Sequence, residues 1–283
     1  MPRLLDDSII GEHEKFLFYG PPGSGKTFSS LTGPPPTYCI VFGGANELKT
    51  GRSIDFRKKY PELEGQIYFD QTTEPLGERG HFVEASAYDE ACDLLDAALA
   101  AEEKGDFQFN TLVIDSATGL RRYAMNKAME VNYHRATNKG NTALKRLRDA
   151  NIIIPGDNDY MSEMSLTMQF FEWVFNLPKN VVVVTHEYQV KKYDRAKGES
   201  FVTGRMPLFT GNHREYMPAV FDNVWHFSPV PTGKSIISRA QTVGDDTTYA
   251  KTRMGGVLAQ YERDVNIRDI IARFRKAEKK LGK

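Results

Sequence analysis

The run GPPGSGKT, residues 20–27, has the spacing G-x-x-x-x-G-K-[ST], and that spacing suits phosphate chemistry. Gly20, Gly23 and Gly25 let main-chain N–H groups curl around phosphate oxygens, while Pro21, Pro22 and Ser24 fill the turn between them. A helix opening at Lys26 adds its positive N-terminal end. Lys26 is then placed to reach the β- and γ-phosphates and Thr27 to ligate Mg²⁺ through its hydroxyl, and Phe28 closes the nucleotide-binding stretch. Downstream, TLVIDS (residues 111–116) sets Asp115 at the end of an apolar strand, where a second contact to the metal belongs. The chemistry expected is binding of ATP with Mg²⁺ and hydrolysis of its terminal phosphate.

These residues need a frame. Residues 15–19 read as a strand running straight into the turn, and residues 38–42, 67–69, 111–115 and 180–185 as further strands. Between them, residues 88–104 place Ala91, Leu94, Leu95 and Ala98 on one helical face, and residues 166–175 form a helix stopped at Leu177-Pro178. Strands alternating with helices predict an α/β fold, a mostly parallel central sheet with helices on both faces. After residue 185 the texture changes: residues 224–227, 234–240 and 247–253 look like short strands, which adds antiparallel strands at the C-terminal side. Residues 264–280 read as an amphipathic tail helix with Ile267, Ile270, Ile271 and Phe274 inward. The reading is one domain over residues 1–283, with its core at about 15–260 and a C-terminal helix at 264–283. Residues 137–141 and 191–212 are long for simple connections and stand as functional candidates.

Composition bounds the partners. Lys+Arg and Asp+Glu are equal at 37 each, so contact with a polyanion must come from local patches. Two such patches exist. The first spans residues 121–148 and includes Arg121, Arg122, Lys127, Arg135, Lys139, Lys145, Arg146 and Arg148 against the single acid Glu130, with Tyr133 and His134 interleaved. The second follows His186 and includes Lys191, Lys192, Arg195 and Arg205 with Tyr188, Tyr193 and Phe201, a mixture suited to phosphates and stacked bases. A solvated helix face and a flexible loop are the plainer alternatives. Cys39 and Cys92 lack metal-ligand spacing, and no run approaches a membrane span or a signal peptide, so a cytoplasmic protein is expected.

Taken together, the motifs resemble RecA-like P-loop ATPases, most of all bacteriophage RecA-type single-strand annealing and recombination ATPases. LVIDSATGL (residues 112–120) resembles their magnesium strand, VVVVTHE (181–187) the strand with their γ-phosphate sensor, and AKTRMGG (250–256) their Lys-x-Arg element. The resemblance implies a sensor at His186, and Lys251 and Arg253 reaching a neighbour's ATP within a homo-oligomeric ring or filament. It places the catalytic base at the end of the strand after the P-loop helix, where Phe42-Gly43-Gly44-Ala45-Asn46-Glu47 offers Glu47, since Ser116 rather than a glutamate follows Asp115. It also implies single-stranded DNA as partner and puts both basic patches on the DNA channel, which in a phage-encoded protein means the bacterial host cytoplasm. A hexameric helicase, a packaging motor, a nucleotide-gated assembly protein and a small-molecule P-loop kinase are the other readings of the same loop.

Overall fold

The computed structural model describes residues 13–43, 49–75, 84–138, 155–195, 198–232 and 235–280. Six apolar segments form parallel strands: β1 (Lys15–Gly20), β2 (Thr37–Phe42), β3 (Ile67–Thr72), β4 (Thr111–Asp115), β5 (Asn180–Asp194) and β7 (Asn223–Thr232). The inner strands are apolar along nearly their whole length because helices cover both faces of the sheet. β6 (Glu199–Pro207), β8 (Ser235–Gln241) and β9 (Tyr261–Arg263) add antiparallel pairings. The order across the sheet is β3-β2-β4-β5-β1-β7-β8-β9, with β6 attached to β5 outside that path. β5 therefore separates the strand that feeds the phosphate turn from the strand that carries Asp115.

Alternation along the strands sorts the core into two layers. Leu17, Tyr19, Ile40, Ile114 and Val183 face α3 (Ala87–Lys104), α4 (Ala117–Asn138) and α5 (Asp157–Phe175). Phe16, Phe18, Val41, Val113 and Trp225 face the layer of α1 (Lys26–Ser30), α2 (Ile54–Lys59) and α6 (Ile267–Lys280). In α3 the buried residues Ala87, Ala91, Leu95 and Ala98 recur at helical spacing, and Gly105 in the left-handed region ends the helix. Fully buried Phe16, Phe18, Trp225 and Phe227 interlock at centroid separations of 4.7–5.9 Å under the phosphate turn. Each such ring contributes roughly 1.5–3 kcal/mol by burial.

α1 has only five residues, because Thr32-Gly33-Pro34-Pro35-Pro36 follows it and proline cannot continue a helix. The sheet beyond it, over β2 and β4, is covered instead by α2 and the 3₁₀ turn Pro61–Leu63.

Three expectations are corrected. The strand expected to stop at 185 runs on to Asp194, since Tyr188, Val190 and Tyr193 are good strand residues with an antiparallel partner. Residues 191–212, read as a loop, contain that partner, β6. Residues 247–253 are not a strand: Asp245 accepts hydrogen bonds from Thr247 and Thr248 and curls the chain there, leaving only isolated bridges at Thr248 and Lys251. Hydrogen bonds that the Asp245 carboxylate accepts, from the Thr247 N–H first and then from the Gln241 side chain and the Thr247 hydroxyl, hold it down to about 2. Among the described residues no helix is long and apolar enough to cross a membrane.

Candidate nucleotide-binding site

The C-terminal ends of β1 and β4 meet the end of the parallel part of β5 at one edge of the sheet, where ligands of open α/β sheets gather. β1 ends in Gly20, whose φ of +150° is closed to most side chains, and a Cβ there would lie 2.2 Å from the Phe227 carbonyl oxygen. Pro22 and Gly23 form the exposed tip of the turn, and the Ser24 hydroxyl donates to the Pro21 carbonyl at 2.8 Å. Gly25 caps α1 in the left-handed region, and a Cβ on it would strike Ser238 of β8 at 2.6 Å. The main chain thus forms a close-set cradle at a helix N-terminus.

Lys26 is 7 % exposed, and its ammonium donates to the carbonyls of Gly20 and Pro21 at 2.9 and 2.8 Å, so its charge lies inside the turn. The Thr27 hydroxyl donates to Asp115 Oδ2 at 2.7 Å, which joins the two residues expected to hold the metal although they are 88 positions apart. A hydroxyl and a carboxylate are hard oxygen donors, so Thr27 and Asp115 fit Mg²⁺, which would supply positive charge against the phosphates there. The ring of Phe28 packs on Phe56 at 5.0 Å and on Tyr60 at 5.9 Å, so Phe28 offers the turn its main chain and not its side chain.

His186 sits in register with Gly20 at the point where β5 leaves the parallel sheet; its N–H donates to Thr118 Oγ1 at 3.3 Å, and its side chain is exposed. Eight residues of β5 continue past it as one arm of a hairpin with β6. Lys191, Lys192 and Arg195 are exposed on that arm and its turn, with Tyr193 at 63 % and Phe201 at 51 % exposure. Arg205 stands at the root of the hairpin, where its backbone bonds Thr247 and Tyr249 and its charge bears on Glu187. The first basic patch is partly spent on structure. Arg121 is tied to buried Glu163 and to Thr210, Lys127 pairs with Asp89, and Arg122 lies over the Tyr123 ring. Arg135 falls in α4, while Lys139, Lys145 and Arg146, like Glu47, lie outside the described residues.

Lys251 and Arg253 are not brought to this chain's own phosphate turn. Lys251 pairs with Val224 and donates to the Ala219 carbonyl at 2.7 Å, and Arg253 pairs with Asp222 at 2.7 Å. Asp222 and Val224 lie beside Lys15 and Leu17, at the opposite end of β1 from Gly20.

Two residues beside the turn escaped the sequence reading. His226 Nε2 and Glu187 Oε2 are 3.0 Å apart, each side chain 10 % exposed, bridging β7 and β5 across the end of β1. Burial lowers the His226 pKa against the raising influence of Glu187. Burial alone would raise Glu187, but bonds from His226 and Gln189 and the charge of Arg205 outweigh it and hold the carboxyl below its usual range. At neutral pH the pair is a carboxylate accepting from a neutral imidazole. The unfolded chain takes up protons more readily than the folded one at both groups, so stability is retained above the ordinary histidine value of 6.5 and falls as the pH drops below it. His226→Gln keeps a donor for Glu187 but cannot titrate. Its urea-denaturation midpoint should fall less than that of the wild type between neutral pH and the acid side of that value; parallel profiles would rule the linkage out.

The parallel sheet, the glycine cradle and the Thr27–Asp115 pair are those of a P-loop ATPase. The chain belongs to the AAA domain family AAA_24, whose model matches residues 12–254. Among solved structures it is similar to a KaiC-like protein from Pyrococcus horikoshii OT3, at 11% identity and a TM-score of 0.40, over 81% of this chain and 77% of that one. It is also similar to the flagellar accessory protein FlaH from Methanocaldococcus jannaschii, at 11% identity and a TM-score of 0.38, over 91% and 89% of the two chains. No curated protein matches it.

Proposed function

We propose that this ATPase is a Mg²⁺-dependent single-stranded-DNA-binding protein of the phage-type recombination and strand-annealing kind, hydrolysing ATP at subunit interfaces of a ring or filament. The observation that carries the reading is the β5–β6 hairpin. Eight strand residues past His186 extend about 26 Å at 3.3 Å per residue. The hairpin presents lysines beside exposed aromatic rings, which is what a single strand needs: cations along its phosphates and flat apolar faces for its bases. Its root is one residue from the position opposite Gly20, so a change at the terminal phosphate has a short path to it.

Charge reversal of Lys191 and Lys192 together should weaken single-stranded DNA binding and lower the slope of log K against log salt by about 1.4, at roughly 0.7 for each lost phosphate contact. An unchanged salt slope would take the hairpin out of the DNA site. Turnover stimulated by single-stranded DNA supports the proposal; stimulation by duplex DNA alone would move it to a translocating motor, and phosphoryl transfer to a small acceptor to a kinase.

The Lys-x-Arg element is proposed to work in trans. For that, Arg253 exchanges Asp222 for a neighbour's nucleotide, and its 70 % exposure leaves it accessible for the exchange. Arg253→Ala should spare ATP binding and cut turnover, and mixing it with Asp115→Ala should restore part of the activity at hybrid interfaces. Mixtures no more active than the sum of their parts would remove the trans role.

A further inference from the structure

The layer holding α1 contains a cavity of about 200 Å³ between the sheet and α2. Its origin lies in the sequence. The prolines after α1 stop that helix short, and α2 with the 3₁₀ turn bridges over β2 and β4 without filling the space beneath. The sheet side is apolar, formed by Cys39, Val41 and Val113, and the cover is Phe56 and Tyr60. Neither Cys39 nor Val113 is more than 3 % exposed, so the sheet wall of the cavity is buried. Thr27 and Asp115, the bonded pair of the nucleotide site, also line it. Its mouth carries Arg52 and Arg57, with Glu64 also on the lining. Arg52 lies 5.9 Å from the Phe69 ring centroid, and among the described residues neither arginine pairs with a carboxylate.

We propose that this cavity is a second ligand site, separate from the nucleotide cradle, for a small molecule with a flat apolar body and one anionic group. An apolar cavity of about 150 Å³ accepts benzene, so this one takes a ring of that size or slightly larger. The body fits against Cys39, Val41, Val113 and Phe56, and the anion meets the guanidinium groups, whose planar donors suit a carboxylate or sulfonate. The wall it shares with Thr27 and Asp115 puts the occupant next to the phosphate chemistry without occupying the phosphate turn. This inference is independent of the proposed DNA function.

The test is a fluorescence titration of the full chain with naphthalene-2-sulfonate, repeated with 2-naphthol as the uncharged counterpart. One saturable site is expected for the sulfonate. Replacing Arg52 and Arg57 together by glutamine should weaken it about tenfold, as should removal of the anion from the probe. Both arginines are on the surface, so this variant tests anion recognition without disturbing the core. Val113→Phe should abolish binding by filling the space. Saturating MgADP should leave the probe in place. Displacement by MgADP would overturn the proposal by putting the probe in the nucleotide site. So would binding indifferent to the arginine change, or a titration that never saturates.

Discussion

Replacing Lys26 by alanine should reduce ATP turnover by about two to three orders of magnitude, the range seen when one preorganised donor is removed from an oxyanion hole. The expectation rests on position. The ammonium is buried at the base of the turn, held by two main-chain carbonyls and 3.4 Å from the Ser24 hydroxyl, and these contacts keep it directed into the cradle. Charge in such an enclosed setting acts through a lower dielectric than on the surface, so its removal costs more than the loss of an exposed lysine. Lys26→Arg separates charge from shape: a larger planar head cannot repeat the bonds to Gly20 and Pro21, so it should recover little activity. The check is steady-state phosphate release together with the thermal midpoint of both variants. Loss of turnover with a wild-type midpoint supports the assignment, and wild-type turnover in Lys26→Ala excludes it.

The second large effect is on stability. Gly20→Ala should destabilise the fold by about 2–6 kcal/mol, combining roughly 1–3 for a strained backbone region with roughly 1–3 for overpacking. The contact that forces this is main chain: the new Cβ would meet the Phe227 carbonyl oxygen of β7 at 2.2 Å, and a strand inside a sheet cannot retreat as a side chain would. Gly23→Ala is the internal control. Its φ of +71° is also left-handed, yet nothing lies within 4 Å of the added carbon, so it should cost only about 1–2 kcal/mol. Urea denaturation of both variants measures the difference. Equal losses would mean that the β1–β7 contact carries none of the effect.

The shape of the candidate phosphate turn was legible because its geometry is local. A turn, a helix start and a strand-end acid are each written in a few consecutive residues, and the structure brings Thr27 and Asp115 to hydrogen-bond distance. The parallel core was legible for a similar reason, since doubly covered strands leave continuous apolar runs such as residues 181–184. What escaped depends on pairing between distant segments. β6 reads as a loop because ESFVTGRMP is polar enough to be one, and it becomes a strand only because the far half of β5 supplies its ladder. Residues 247–253 failed in the opposite sense, since Thr and Tyr favour strands but Asp245 turns the chain just before them. The Glu187–His226 pair was hidden because nothing in WHF or THE tells that two strands flanking β1 end side by side. In the first basic stretch, Arg121 and Lys127 are paired with Glu163 and Asp89. A charge count sees cations and not their partners.

The most direct measurement is a crystal structure of the full chain with magnesium and a non-hydrolysable ATP analogue. The β- and γ-phosphates should lie on the amides between Gly20 and Thr27, with Lys26 turned from the carbonyls of Gly20 and Pro21 to the phosphate oxygens. The metal should sit against the Thr27 hydroxyl on the side of Asp115. A nucleotide bound elsewhere, with Lys26 still bonded to those carbonyls, would contradict the assignment of this turn as the ATP site.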